Sequence, residues 1–328
     1  MNTELVGTSK HAEQMRNFAH KVSTSDYPIL LQGPTGVGKD LLAELIHTEG
    51  RKQNPFVSFN CGGLPDTLLE SELFGHVRGA FTDARTDRKG LIEHASGGTL
   101  FFNEIGNMSF AMQARLLAIM ENKSFRKLGS NINIKVQTRI ITATNLDLED
   151  AISQKGFRLD LYHRMNVLSF DIRPLRERRE DIPTLAQHFL NRESKGNQRF
   201  FDTKAIDMMS EYPWPGNIRQ LENTVKAIAL FSSSEKIGVN DLCRHLTISE
   251  EKLVLNPFYD VSEGRFKTYE EVQLQYIIEV LKSCNGNVSM TTRATGLSRC
   301  TVYRILNQGG LVVDQLKKYK NKNRTIPN

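Results

Sequence analysis

From Tyr27 to about Ile172, short apolar runs alternate with stretches of helical periodicity. The runs YPILLQ, PFVSFN, GTLFFN, TRIITAT and NVLSFDI are each bounded by polar or turn residues, which predicts five strands. Between them, DLLAELIH and MQARLLAIMEN are amphipathic, with apolar positions at helical spacing. Strands alternating with helices imply parallel pairing in a three-layer α/β sheet. From Pro174 to about Leu246 the strand signals stop, and EDIPTLAQHFLNR and NIRQLENTVKAIALF predict a helical subdomain attached to the sheet. Residues 247–265 mix charge with Asn-Pro and Ser-Glu-Gly without periodicity and read as a linker. A last helical unit follows, and the expected boundaries are 1–173, 174–246, 247–265, 266–310 and a tail at 311–328.

In that last unit, YEEVQLQYIIEVLKSC puts Ile277, Val280, Leu281 and Cys284 on one face. Gly286 ends this helix, and Asn287 is placed to cap the next, NVSMTTRAT. Gly296 then leads into SRCTVYRILNQ, where Ser298 can cap and Val302, Ile305 and Leu306 form the buried side. Helix, short glycine-containing turn, helix is the plan of a helix-turn-helix DNA-binding domain. The exposed side of its last helix carries Arg299, Thr301, Tyr303 and Arg304. Arginines suit phosphates and guanine edges alike, so Arg299 is assigned to base or phosphate and Arg304 to phosphate. The competing reading is a merely solvated helix face.

Length and composition narrow the class. The chain has 328 residues, room for two or three domains, and 39% hydrophobic against 24% charged residues is a globular balance. No apolar run is long enough to cross a membrane, and the N-terminus lacks a signal pattern, so a cytoplasmic protein is expected. Cys61, Cys243, Cys284 and Cys300 show no paired spacing, which argues against a zinc site or a disulfide framework. The net charge of +6 changes little by itself. The tail gathers Lys317, Lys318, Lys320, Lys322 and Arg324, as a solvated end or a phosphate-contacting arm would.

Chemistry enters after the first strand. YPILLQ is followed by GPTGVGKD, with Gly33, Gly38 and Lys39 at the spacing of a phosphate-binding loop. Residues Gly33, Pro34, Thr35, Gly36, Val37 and Gly38 would turn backbone N–H groups toward phosphate oxygens, and Lys39 would add a point charge. After the lysine such loops usually carry a hydroxyl for magnesium; here it is Asp40. The alternative is an ordinary Gly-rich strand-to-helix turn. A second strand, GGTLFFNE, ends as a Walker B segment does, with Glu104 where the residue polarising the attacking water stands. The carboxylate that usually precedes it, beside the metal, is replaced by Asn103. An amide keeps shape and hydrogen bonding but loses one negative charge, so binding of ATP and Mg2+ is expected to survive and turnover to fall.

Taken together, these segments resemble the central AAA+ domain of sigma-54-dependent transcription activators, from about Leu5 to Leu246. ELFGHVRGAFTDA is similar to the family's ELFGH…GAFTGA loop, GGTLFFNEIG to GGTLFLDEIG, and FRLDLYHRMNV to FRxDLYYRLNV; PLRERREDIP and WPGNIRQLEN complete the set. The resemblance implies that Phe81 and Thr82 engage sigma-54, that Asn145 is sensor I and Arg219 sensor II, and that Arg158 and Arg164 reach a neighbouring subunit's nucleotide. It further implies that Asn60 switches the catalytic Glu104 between states. Beyond Asn103, Asp83 departs from the family's pattern, where glycine is usual. The terminal unit resembles the Fis-type domain of the same activators, with Thr291 and Thr292 in place of alanines and so a thinner packing.

The expected protein is therefore an AAA+ P-loop α/β module with a helical subdomain, followed by a small all-α DNA-binding domain. The resemblance implies a ring, hexameric by family likeness, that binds an upstream DNA site, consumes ATP and remodels sigma-54 RNA polymerase. Because the motor begins almost at residue one, control is expected from a regulatory partner protein, partner subunits or expression level. The competing expectation is a hydrolysis-impaired nucleotide-binding regulator that acts by occupying DNA or by joining a mixed ring.

Overall fold

Strands that are apolar on both sides are stable only between two covering layers, and the middle of the sheet has that environment. In the computed structural model the strands are β1 Ile29–Gln32, β2 Phe56–Asn60, β3 Thr99–Asn103, β4 Arg139–Thr144 and β5 Leu168–Asp171. They form one parallel sheet in the order β2-β3-β4-β1-β5. Central β4 is buried along its whole length, whereas edge strands β2 and β5 keep partly open positions. The structure describes residues 4–63, 65–81, 84–194, 198–232, 234–246, 259–260, 265–284 and 286–308. It divides into two compact units, Met1–His245 and Leu246–Asn328.

The two-residue period of the strands sorts their side chains into two cores. Leu30, Leu100, Phe102 and Ile140 join Leu116, Ile119 and Leu161 on one face. Ile29, Leu31, Phe101 and Ile141 join Met15, Ala19, Leu42 and Ile46 on the other. Helices α1 Lys10–Val22 and α2 Lys39–Arg51 cover the second face; α3 Phe110–Asn122 and α4 Leu159–Met165 cover the first. Helix α1 is an addition to the elements expected from the sequence. Ser9 caps it by accepting from the Ala12 N–H at 3.0 Å. The other end of α1 is tied to the sheet by buried Arg139, which donates to the carbonyls of Ser23 (2.8 Å) and Val22 (2.6 Å). Burial pulls the Arg139 guanidinium down to about 10.

Past the sheet, α5 Asp181–Glu193, α6 Thr203–Glu211, α7 Asn217–Phe231 and α8 Val239–His245 make up the helical part of the first unit. One correction applies to this region. Phe200–Phe201 pairs in parallel with Lys236–Ile237, two residues on each side. Such short pieces offer no periodicity for a sequence to display. Trp214 sits in the core with φ 44° and donates from Nε1 to the Met209 carbonyl at 2.7 Å.

The second unit has α9 Tyr269–Ser283, α10 Val288–Thr295 and α11 Arg299–Gln308 around Ile277, Leu281, Val302, Ile305 and Leu306. Val280 and Cys284, expected on the same face as Ile277 and Leu281, are only half-buried. Caps set its turns: Thr268 and Glu271 form a capping box, Asn287 accepts from Ser289 and Met290, and Gly296 closes α10 at φ 71°. Within the expected linker, Tyr259–Asp260 pairs antiparallel with Arg265–Phe266, again too short to show in periodicity. The rest of 247–265 and the basic tail lie outside the described residues.

Candidate functional site

The glycine-rich loop runs from the end of β1 into α2, and its shape is set by its surroundings. Gly33 has φ 141°, and a Cβ there would stand 2.4 Å from the Ile172 carbonyl. Gly36 has φ 79°, and a Cβ would stand 2.5 Å from the Gly216 carbonyl in the helical part. Only glycine satisfies both the torsion and the approach. Asn217, itself at φ 52°, donates from Nδ2 to the Thr35 carbonyl at 2.9 Å and accepts from the Leu175 N–H at 2.9 Å. Buried Arg178 donates to the Val37 carbonyl at 2.7 Å. Neither Asn217 nor Arg178 was expected from the sequence. Both sit in motifs quoted above, WPGN and PLRERR, and the residue type alone signals only a turn or a surface charge.

Charged and amide groups converge on this loop. Lys39 is buried and donates from Nζ to the carbonyls of Gly33 (2.6 Å) and Pro34 (3.0 Å). Burial lowers its ammonium pKa, against the pull of Asp40 and Glu104. Asp40 keeps an edge in solvent, yet the surrounding protein raises its carboxyl pKa against Arg219 and Lys39. Asn103, at the end of β3, donates from Nδ2 to Asp40 Oδ1 at 2.8 Å. Glu104 follows at φ 56°, a left-handed conformation that turns the chain sharply at the strand end. Asn145, just beyond β4, donates to Thr35 Oγ1 at 3.3 Å. Arg219 gives its backbone N–H to the Gly36 carbonyl at 3.3 Å, and its charge is felt at both Lys39 and Asp40. The structure thus brings together residues 33–40, Asn103, Glu104, Asn145 and Arg219 from three strand ends and the helical part.

Four expected residues make their contacts elsewhere. Asn60 pairs in register with Asn103, but its Oδ1 accepts from the Gly62 N–H at 2.8 Å. The amide that donates to Glu104 Oε2 is that of Asn107, at 3.5 Å, and the side chains of Asn60, Glu104 and Asn107 all surround Gly62. Arg158 is fork-bonded to Asp160 (3.0 and 2.7 Å), lies over the Phe110 ring, and is seated by its own N–H on Gln113 Oε1 at 2.8 Å. Arg164 donates to the Met120 carbonyl at 3.2 Å and borders a cavity of about 600 Å³ with Arg51, Lys123 and Arg139. Phe81 is 45% exposed and packs edge-on against His76, 4.9 Å between ring centres, above the hairpin Gly75–His76/Arg88–Lys89. Thr82 and Asp83 lie outside the described residues.

The arrangement has the donor set of a nucleotide-metal site. Magnesium in such sites takes one or two protein carboxylates, phosphate oxygens and water rather than an all-protein cage. Among the described residues no cluster of three or more His, Cys, Asp or Glu forms such a cage. Asp40 and Glu104 beside a backbone cradle and Lys39 fit the shared mode.

Residues 5–171 match the sigma-54 interaction domain family, and residues 176–254 match the AAA+ ATPase lid domain. The chain belongs to the sigma-54 interaction domain family. Its sheet and glycine loop are this family's AAA+ P-loop core, and α5 to α8 lie in the lid. Among curated relatives, the transcriptional regulatory protein GlrR of Escherichia coli (strain K12) is 39% identical over 304 residues, covering 92% of this chain and 66% of GlrR. ZraR of Salmonella typhimurium is 37% identical over 308 residues, 93% of this chain and 68% of ZraR. The chain therefore spans about two thirds of the length of these relatives. Among solved structures, NtrX from Brucella abortus in complex with ATP superposes with a TM-score of 0.67 at 30% identity, over 94% of this chain and 69% of NtrX.

In the second unit, the residues expected to meet DNA lie on or beside α11. Ser298 accepts from the Thr301 N–H at 3.1 Å, and the two hydroxyls are 2.8 Å apart, so both serve the helix start. Arg299 bonds to Ser289 of α10. Tyr303 and Arg304 are exposed on the side opposite Val302 and Ile305. Among the described residues no helix is long and apolar enough to cross a membrane.

Proposed function

We propose that this member of the sigma-54 interaction domain family binds Mg-ATP, assembles into a ring, binds DNA through its terminal unit, and uses ATP to act on sigma-54 RNA polymerase. The observation that carries the reading is the convergence of Lys39, Asp40, Glu104, Asn145 and Arg219 on one glycine loop held from both sides. Lys39 and the loop N–H groups neutralise and orient the phosphates; Glu104 orients and takes the proton of an attacking water. When bound, magnesium would neutralise phosphate charge beside Asp40 and Glu104. Arg219 reports nucleotide to the lid through Gly36. Arg158 and Arg164 make contacts outside their own chain's loop, which supports their service across a subunit boundary. Phe81 and Thr82 form the sigma-54 contact. Ser298, Arg299, Thr301, Tyr303 and Arg304 form the DNA face, most effective on paired half-sites in an assembly. The NtrX complex with ATP supports the choice of nucleotide.

Asn103 favours a second reading, a nucleotide-binding regulator with weak hydrolysis that works by occupying DNA or within a mixed ring. Steady-state ATP hydrolysis across protein concentration separates the two. Turnover per protomer that rises with concentration and vanishes in Lys39→Ala supports the motor. ATP binding with no turnover at any concentration supports the regulator. Turnover insensitive to Lys39→Ala removes the site assignment altogether.

A further inference from the structure

The glycine loop follows the end of β1, and the opposite end of the sheet carries a second opening. Because the strands are parallel, β1, β4 and β5 all begin there, at Ile29, Arg139 and Leu168. The cavity of about 600 Å³ at these strand starts is lined by Arg51, Lys123, Arg139 and Arg164 together with apolar side chains such as Leu100 and Ile140. Asp26 is the only acid among the described residues that line it, and it is already bonded to Arg51. Arg139 uses its two terminal nitrogens on carbonyls, and its buried Nε has no acceptor among the described residues. Cations gathered without matching acids repel one another and draw an anion.

Lys123 is the unusual member of the set. It ends α3 in a left-handed conformation, φ 48° and ψ 34°. Its N–H donates to the Ile119 carbonyl and its own carbonyl accepts from the Val136 N–H, both at 2.9 Å. Glycine is the ordinary occupant of such a cap, since a side chain there strains the backbone. The lysine that stands here is exposed, and among the described residues its ammonium has no hydrogen bond or ion pair. Its charge is felt across the cleft at Asp26. Arg164, also exposed, reaches the same rim from α4, donating to the Met120 carbonyl in the last turn of α3 at 3.2 Å. A phosphate seated between the two would meet a cation from each helix.

We propose that this cleft receives the phosphates of a nucleotide held by a second copy of this chain, and that Lys123 contacts them beside Arg164. This rests on the reading that Arg164 serves across a subunit boundary. The cleft and the chain's own glycine loop lie at opposite ends of one sheet, so a loop-bound phosphate reaches the cleft only from another copy. Tyr27 and Val167, both exposed, border the opening and suit contact with that copy.

The test is the affinity of the concentrated full chain for a fluorescent ATP analogue with magnesium, in single variants and in mixtures. Lys123→Gly removes the ammonium while keeping a residue at ease in the left-handed cap. Its affinity is expected to fall about tenfold, and Lys123→Arg is expected to hold most of the natural value. Lys39→Ala has the opposite lesion, a spoiled loop with an intact cleft, and is expected to bind little analogue alone. Added in excess to Lys123→Gly, it is expected to restore affinity, because its cleft serves the other copy's nucleotide; a merely structural role of Lys123 gives no such recovery. Undiminished affinity in Lys123→Gly overturns the proposal, as does a loss that excess Lys39→Ala leaves uncorrected. The same mixture made with Arg164→Ala separates the two readings. Recovery there but not in Lys123→Gly removes Lys123 alone, whereas recovery in neither removes service across the boundary as well. Analogue bound by Lys39→Ala alone, and lost when Lys123→Gly is combined with it in one chain, means that the cleft takes phosphate from solution, which overturns the second copy as its source. If the natural chain binds no analogue, the nucleotide-binding reading and this proposal fall together.

Discussion

Contacts that shape the glycine loop come from far along the chain: Asn217 reaches Thr35 across 182 residues and Arg178 reaches Val37 across 141. The terminal unit holds its turns with neighbours instead. Asn287 caps α10 through residues two and three positions on, and Ser298 reaches Thr301. Its core is five side chains, against two sheet-wide cores in the first unit. The difference teaches where function is coupled to folding. A loop whose backbone is held by the lid is coupled to the lid, whereas a unit made of local caps and a small core shapes its exposed face from within.

The largest expected effect sets the two cores against each other. Trp214→Ala should destabilise the first unit by about 3–5 kcal/mol, since the buried indole and its bond to Met209 are both lost. ATP affinity should fall with it, because Trp214 precedes the Gly216–Asn217 clasp on the loop. Leu281→Ala should cost the terminal unit about 2–5 kcal/mol and leave ATP affinity unchanged. Denaturant unfolding by circular dichroism together with nucleotide titration measures both; a loss of ATP affinity in Leu281→Ala breaks the contrast.

A smaller effect probes the local caps. Asn287→Ala should destabilise the terminal unit by about 1 kcal/mol, and Asn287→Asp should retain most of that. Equal stability of Asn287→Ala and the natural chain would mean that the core alone sets the turn.

The smallest effect is one of pH. Burial is the first cause that lowers His11 and His47 below their ordinary value of 6.5. His11 Nε2 accepts from the Arg173 N–H at 3.2 Å, which only the neutral ring can do. The unfolded chain therefore takes up protons at a higher pH than the folded chain, and stability of the first unit falls as pH drops through about 6.5. All eight histidines precede Leu246, so histidine titration leaves the terminal unit untouched. Melting followed from pH 7.5 to 5.5 should show the first transition moving down, with the shift reduced in His11→Gln. A shift unchanged in that variant removes His11 as a cause.

Much of the fold is legible in the chain itself. The five apolar runs are the five sheet strands, because a strand covered on both faces needs unbroken apolar character that nothing else in the sequence imitates. The loop at residues 33–40 and the caps at Asn287 and Gly296 are equally plain, since torsion and turn chemistry are local demands on residue type. Asn103 is the instructive case. Read along the chain it is a missing charge, because a sequence pattern compares each position with its usual occupant and not with its neighbour in space. Asp40 lies 63 residues away, and their hydrogen bond exists only after β1 and β3 stand on either side of β4 in one sheet.

By itself the sequence determined the architecture, the phosphate loop and the plan of the terminal helices, which follow from period, glycine placement and local caps, and its motifs carried the resemblance to the family. Tertiary structure alone decided what Asn103 meets, that Asn217 and Arg178 clasp the loop, that Asn60, Glu104 and Asn107 gather around Gly62, and that Arg139 is spent on closing α1. These are pairings of polar groups across the fold. Their energy depends on distance and burial, which no single stretch of chain encodes.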